Sequence, residues 1–285
     1  MGLEGTYHLV ELSGLFELLE IRDGKTFSKL MYDFKADAVI HLAGVLSAKG
    51  EANPQDSWDI NACGYFTTLE CARENAAAFF FLSSIAAFGP STPADNTPQV
   101  TIRRPTTIYG VAKVTGELLC DYYHRKFLLD TRGLRFPGLI SYEGPPGGGT
   151  TDYSVHIYYD ALEKGRYTSY IGPGTYMDMM YMPDALAAVV HLMEAGPSKF
   201  VNRNAYNISA MSFTPEEIAA SIREVIPSFE IYSEVDPVRQ GIAVSWPNSL
   251  DCSAAVEEWG FSPGYDLDRM TVDMLEKIKA KGCYK

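Results

Sequence analysis

Short apolar runs alternate with amphipathic stretches over the first two-thirds of the chain. Ala38 to Leu42 reads as a buried strand, Asp59 to Asn75 as a helix, and Ala78 to Ser83 as the next strand. A long helix from Thr106 to Lys126 and a strand from Thr131 to Phe136 continue the rhythm. Strands separated by helices predict a parallel sheet covered on both faces. Right-handed crossovers then predict an α/β, doubly wound, Rossmann-like sheet with ligands at the carboxyl ends of its strands. After Pro137 the pattern changes. Glycine, proline and tyrosine crowd Ser141 to Met182, and the helices Pro215 to Val225 and Leu267 to Lys279 are separated by loops. The expected division is a nucleotide-binding domain over residues 1–140 and a smaller, irregular C-terminal substrate lobe over 141–285. Helix Asp184 to Glu194 is expected to return to the first domain.

Composition narrows the class. The chain has 285 residues, and no apolar run reaches the roughly 20 needed to cross a bilayer. Met1 to Val10 carries neither a basic n-region nor an Arg-rich pattern, so no targeting peptide is expected. Cys63, Cys71, Cys120, Cys252 and Cys283 lack CxxC spacing, which argues against a disulfide framework or a metal site and fits a reducing cytoplasm. A net charge of -12 argues against nucleic acid as a partner.

Candidate chemistry centres on Tyr109 and Lys113. Residues four apart on a helix share a face, and a cation beside a phenol favours the phenolate, which can take a proton from an alcohol. By itself the pair is weak, since Tyr and Lys at this spacing occur on many solvated helices. Its company strengthens it. Ser83 and Ser84 end the strand AFFFL, where a hydroxyl either orients a substrate or caps the turn. Leu42-Ala43-Gly44 ends the preceding strand with small residues that admit a flat ligand. Asn61 either holds backbone geometry or caps a helix, and Pro137-Gly138 forms a rigid turn after another strand.

The strand-Ser-Ser run followed by YGVAK is similar to the Ser–Tyr–Lys arrangement of the short-chain dehydrogenase/reductases. The long C-terminal lobe resembles their extended, epimerase-like branch. The strings LSAKGE, SSIAAFGP, PTTIYGVAK, RFPGLIS, PGGGTTDY, MMYMPDAL, YNISAMSFTPEE and SWPNSLD together resemble the short-chain type of L-threonine 3-dehydrogenase along nearly the whole chain. That resemblance implies oxidation of L-threonine with NAD as cofactor. Tyr109 would be the general base, Lys113 would support it and bind the nicotinamide ribose, and Ser84, with Ser83 beside it, would hold the hydroxyl. Leu42, Ala43 and Gly44 would line the ribose and pyrophosphate path, Asn61 would support it, Pro137 and Gly138 the nicotinamide end, and Asp23 the adenine. Ser47 and the Gly147–Thr151 loop, with Gly148, Thr150 and Thr151, would hold the amino-acid head group. Trp246 either covers the pocket or packs in the core. The resemblance also implies a homodimer through the helices around Asn61–Asn75 and Val111–Phe127.

The chain departs from the family at its start. Gly2, Gly5, Gly14 and Gly24 do not follow an apolar strand and open a helix, so the usual glycine-rich βαβ unit is expected to be missing. Either the chain is truncated or the sequence is a piece of a longer parent. Asp178 stands where the family commonly has proline, either disturbing a loop or solvated, and Leu82 precedes the serine pair where proline is usual. Two other readings stay open: a sugar-nucleotide epimerase using the same Tyr–Lys core, and a cofactor-deficient homologue with a structural role.

Overall fold

The computed structural model describes residues 16–144 and 147–282. Gly2, Gly5 and Gly14, on which the expectation of a missing unit rests, lie outside the described residues, as does Cys283. Gly24 opens helix α1 (Gly24–Phe34), capped by Asp23, whose carboxylate accepts from the Thr26 amide and hydroxyl. Strand β1 (Ala38–His41) follows, then the short helix α2 (Ser47–Ala52).

The next helix begins five residues before the expected Asp59, because Pro54 at its first turn is already set to helical φ. Helix α3 (Pro54–Trp58) runs through a π-type stretch, Asp59–Gly64, into α4 (Tyr65–Glu74). Strand β2 (Ala78–Ser84) and helix α5 (Ile108–Phe127) come next. Thr107 is the cap of α5 rather than part of it, since its hydroxyl accepts from the Gly110 amide at 3.1 Å. Strands β3 (Thr131–Phe136) and β4 (Gly138–Ile140) are separated by Pro137 alone.

Strand β2 pairs in parallel with β1 on one side and β3 on the other, and β3 pairs with β7 (Tyr206–Asn207), giving the order β1-β2-β3-β7. The alternation of β2 decides what covers it. Phe79 and Phe81 pack with Tyr65, Leu69 and Cys120 of α4 and α5. Leu82 joins the cluster on the other face, where helix α7 (Met182–Glu194) sets Ala185, Ala188 and Leu192 against Leu134 and Phe136. Each buried Phe contributes on the order of 2 kcal/mol. Arg132 of β3 ties α7 down, donating to the carbonyls of Leu192, Met193 and Ala195 at its C-terminal end.

Two glycines let α5 lie close on β2 and on the turn Ile85–Ala87 that follows it. A Cβ on Gly110 would stand 2.2 Å from the Ala86 carbonyl oxygen, and one on Gly116 would stand 2.5 Å from the Phe81 ring. Tyr109 and Lys113 therefore ride on a helix pressed against the end of the strand that carries the serines.

The rest of the chain builds a second core. Helices α6 (Tyr153–Lys164), α8 (Pro215–Val225) and α11 (Leu267–Lys281) enclose Tyr158, Tyr181, Phe213, Ile218 and Met274. Strand β6 (Met177–Tyr181) pairs in parallel with β4 and antiparallel with β8 (Met211–Phe213). A separate parallel pair joins β5 (Arg166–Ser169) to β9 (Glu230–Ser233). Helices α9 (Pro237–Ala243) and α10 (Ser253–Trp259) flank the segment that carries Trp246. Among the described residues, no helix is long and apolar enough to cross a membrane.

Asp178 is not solvated. It is 2% exposed on the face of β6 opposite Met177 and Met179, accepts a hydrogen bond from the Ser209 hydroxyl, and leaves its Oδ2 without a partner. Burial pushes its carboxyl up to about 8, against hydrogen bonds from Ser209 and the Leu250 and Met179 amides that favour the charged form. An unfolded aspartate ionises near pH ~4, so folding takes up a proton between that value and about 8. The protein therefore loses stability as pH rises through this window. Asp178→Asn removes the titration while keeping the shape. Denaturant melts should find it more stable than the parent at pH 8 by at least about 1 kcal/mol, with the gap closing toward pH 4.

Candidate active site

The carboxyl ends of β1, β2 and β3 open onto one cavity of about 290 Å³. Its wall includes Tyr109 and Lys113 from α5, Ser83 and Ser84 from β2, Leu42 after β1, and Pro137 and Gly138 after β3. Ser47 of α2 and Thr150 and Thr151 of the glycine-rich loop close the far side, with Trp246 over them. Trp246 also packs against the buried clusters, so it lines the pocket and supports the core at once.

Lys113 donates to the Leu82 carbonyl at 2.5 Å, and its ammonium lies 5.2 Å from the Tyr109 ring centroid. One of its three protons is spent in this way, and two remain for a ribose diol. Beside it His41 is buried, its Nδ1 3.0 Å from the Thr68 hydroxyl. Burial, and then the Lys113 charge, push the imidazole down to about 4, so it stays neutral near pH 7.

The two serines divide the work. Ser84 Oγ accepts from the Ala86 amide at 3.2 Å, capping the turn Ile85–Ala87 while keeping its own proton to donate. Ser83, expected beside it as a second substrate contact, commits its hydroxyl to Glu117 at 2.5 Å. Glu117 is fully buried, and both of its oxygens are occupied. Arg135 of β3 donates to them through Nε at 3.0 Å and Nη2 at 2.9 Å, and Arg103 pairs with Oε2. Glu117 went unnoticed in the sequence, although it lies one helical turn beyond Lys113 on the same face. An acid at that spacing, on a helix whose opposite face is apolar, was the available signal.

Asn61 does not cap a helix. It sits within the π-type stretch, and its carboxamide accepts from the Val45 amide at 2.7 Å and donates to the Val45 carbonyl at 2.9 Å. It thus clamps the Leu42–Leu46 loop from outside the cavity. Ala43 and Gly44 lie exposed on that loop, next to the cavity rather than in its wall. Asp23 also stands apart, exposed at the head of α1.

In the glycine-rich loop, Asp152 accepts from the Gly148 and Gly149 amides at 2.6 and 2.7 Å, a brace not anticipated from sequence. Gly148 takes φ +98, which its missing side chain permits, and it lies outside the wall. Thr150 is 1% exposed, and its hydroxyl has no partner. A nicotinamide ribose fits the Lys113 corner on chemistry, since free donors face it beside the open Leu42–Gly44 loop.

Comparison with known proteins places this geometry. The model of the NAD dependent epimerase/dehydratase family matches residues 6–209. An uncharacterized epimerase/dehydratase of Staphylococcus saprophyticus is 55% identical over 94% of this chain and 84% of its own length. The structure of L-threonine dehydrogenase from Clostridium difficile superposes with a TM-score of 0.93 at 59% identity, covering 95% of this chain and 85% of that one. A monomeric L-threonine 3-dehydrogenase from a metagenome superposes at 0.92 with 38% identity, over 96% of this chain and 89% of its own. With its parallel sheet, its Tyr–Lys helix and matches of this extent, the chain belongs to the NAD dependent epimerase/dehydratase family.

Proposed function

We propose that this protein oxidises L-threonine at the Cβ hydroxyl to 2-amino-3-oxobutyrate, with NAD as cofactor, in the cytoplasm. The observation that carries the reading is the meeting of Tyr109, Lys113 and Ser84 with Ser47 and the unpartnered Thr150 hydroxyl around one small cavity. A buried hydroxyl without a partner is costly and suits a polar ligand that supplies one. The likeness to solved threonine dehydrogenases supports an amino acid as that ligand.

When bound, NAD supplies the hydride acceptor. Lys113, Leu42, Ala43, Gly44, Pro137 and Gly138 would hold it, with Asn61 fixing the loop and Asp23 toward the adenine end. Ser84 donates to the substrate hydroxyl and fixes its direction. Tyr109 takes the hydroxyl proton as the C–H bond breaks, and the Lys113 charge stabilises the phenolate form that accepts it. Neutral His41 avoids setting a second cation beside Lys113. Ser47, Thr150 and Thr151 bind the amino-acid end, on a loop that Asp152 holds in shape.

Purified chain given L-threonine and NAD should form NADH, and Tyr109→Phe should lower kcat by about 100- to 10,000-fold, the range for losing a general base. No turnover by the parent under saturating NAD would count against the reading. Thr150→Val should raise the KM for threonine about tenfold while leaving the melting temperature level or higher, because it removes an unpaired buried polar group. An unchanged KM would remove Thr150 from the substrate site.

The homodimer is part of the same proposal. On α5, Val111, Leu118 and Tyr122 are 40, 54 and 53% exposed, and Phe66 of α4 is 45% exposed beside them. Two such helices from each of two copies make a four-helix seam. Sedimentation at micromolar concentration should give twice the monomer mass; the monomer mass would set this chain with the monomeric relative.

A further inference from the structure

A second cavity, also of about 290 Å³, is lined by Thr101, Arg103, Asp121, Arg125, Arg135 and Asn204 among others. Its amides are already committed. Gln99 donates to the Ala205 carbonyl and accepts from the Asn207 amide, while Asn204 donates to Asp121 and accepts from the Ala205 amide. Arg135 spends its donors on Glu117, the Gln99 carbonyl and Asn207. The free donors belong to two guanidiniums. Arg103 uses one nitrogen, on Glu117, and exposed Arg125 makes no hydrogen bond or ion pair with any described residue.

Asp121 faces the same space, yet neither Arg103 nor Arg125 closes on it, although both charges act on its carboxyl. The three arginines outnumber Asp121 and Glu117, so the cleft keeps a positive balance in a chain of net charge -12. Guanidinium forks match the paired oxygens of carboxylate and phosphate groups.

We propose that this cleft binds a small oxyanion, a phosphate or a carboxylate group, between Arg103 and Arg125. The bound anion acts on the active site through Arg103, Glu117 and Ser83. An anion that shares Arg103 weakens its hold on Glu117. Glu117 then leans more on Arg135 and Ser83, and the turn that carries Ser84 shifts against α5. Turnover falls. Where the anion lowers the affinity for an active-site ligand, that ligand lowers the affinity for the anion by the same factor; an effect on kcat alone carries no such reciprocity. This coupling rests on the catalytic reading of the first cavity; binding itself does not.

The test is calorimetry on the full chain in an oxyanion-free buffer, with inorganic phosphate and separately with succinate, for the parent and for Arg125→Ala. The expected result is one site of millimolar or tighter affinity for one probe, weakened at least tenfold in the variant. The tighter probe identifies the group. Without anion, Arg125→Ala should form NADH at the parent's rate. The anion that slows the parent several-fold should leave the variant unaffected. No heat with either probe, or equal binding by parent and variant, overturns the site. A loss of dimer mass in the variant with no anion heat would assign Arg125 to a subunit contact and also overturn it. Arg125-dependent binding without any effect on turnover sinks the coupling alone. Arg125-dependent binding by a chain that does not oxidise threonine keeps the site and removes the threonine reading.

Discussion

A carboxylate with no exposed surface holds the active-site frame together. Glu117 joins the helix that carries Tyr109 and Lys113 to the ends of the two strands beside it, through Ser83 on β2 and Arg135 on β3. Burying one charge costs several kcal/mol, and it is tolerated here only because every acceptor site meets a donor. Removing a single partner leaves the others uncompensated, so the group behaves as a unit. The distances that matter for proton transfer are thus set by an ion cluster behind the reacting groups, and the close fit of Gly110 and Gly116 lets α5 reach it.

That arrangement explains what could be read from the sequence and what could not. The strands at Ala38 and Ala78 were legible as short apolar runs, and the one at Thr131 from the alternation of strand and helix that leads to it. Tyr109 and Lys113 were legible because their spacing is local to one helix. The Ser83–Glu117 contact spans 34 residues, and Asn61 reaches Val45 across 16, so neither leaves a periodic trace. Ser83 and Ser84 look alike in a sequence. Only the pleat of the strand, which sends neighbours to opposite sides, separates their roles.

Asp178 shows the limit from the other direction. A lone charge among methionines reads as surface, because buried carboxyls are rare. Here tertiary packing prevails, since β6 lies between β4 and β8 with the Ser209 and Leu250 segments folded over it. The helix expected from Asp59 begins earlier for a simpler reason: Pro54 forms its first turn, and the polar residues after it mask the period.

The π-type stretch Asp59–Gly64 carries a consequence for how this chain can vary. Such a stretch holds about one residue more than the regular helix around it. Deleting one residue there would restore a uniform helix with α3 and α4 in nearly their present phase, but would remove the widened turn that sets the direction of Asn61. Asn61 could then no longer meet both polar groups of Val45, while Tyr65 and Leu69 kept their places in the core. Substitutions can accumulate along this helix, but its length in residues cannot drift.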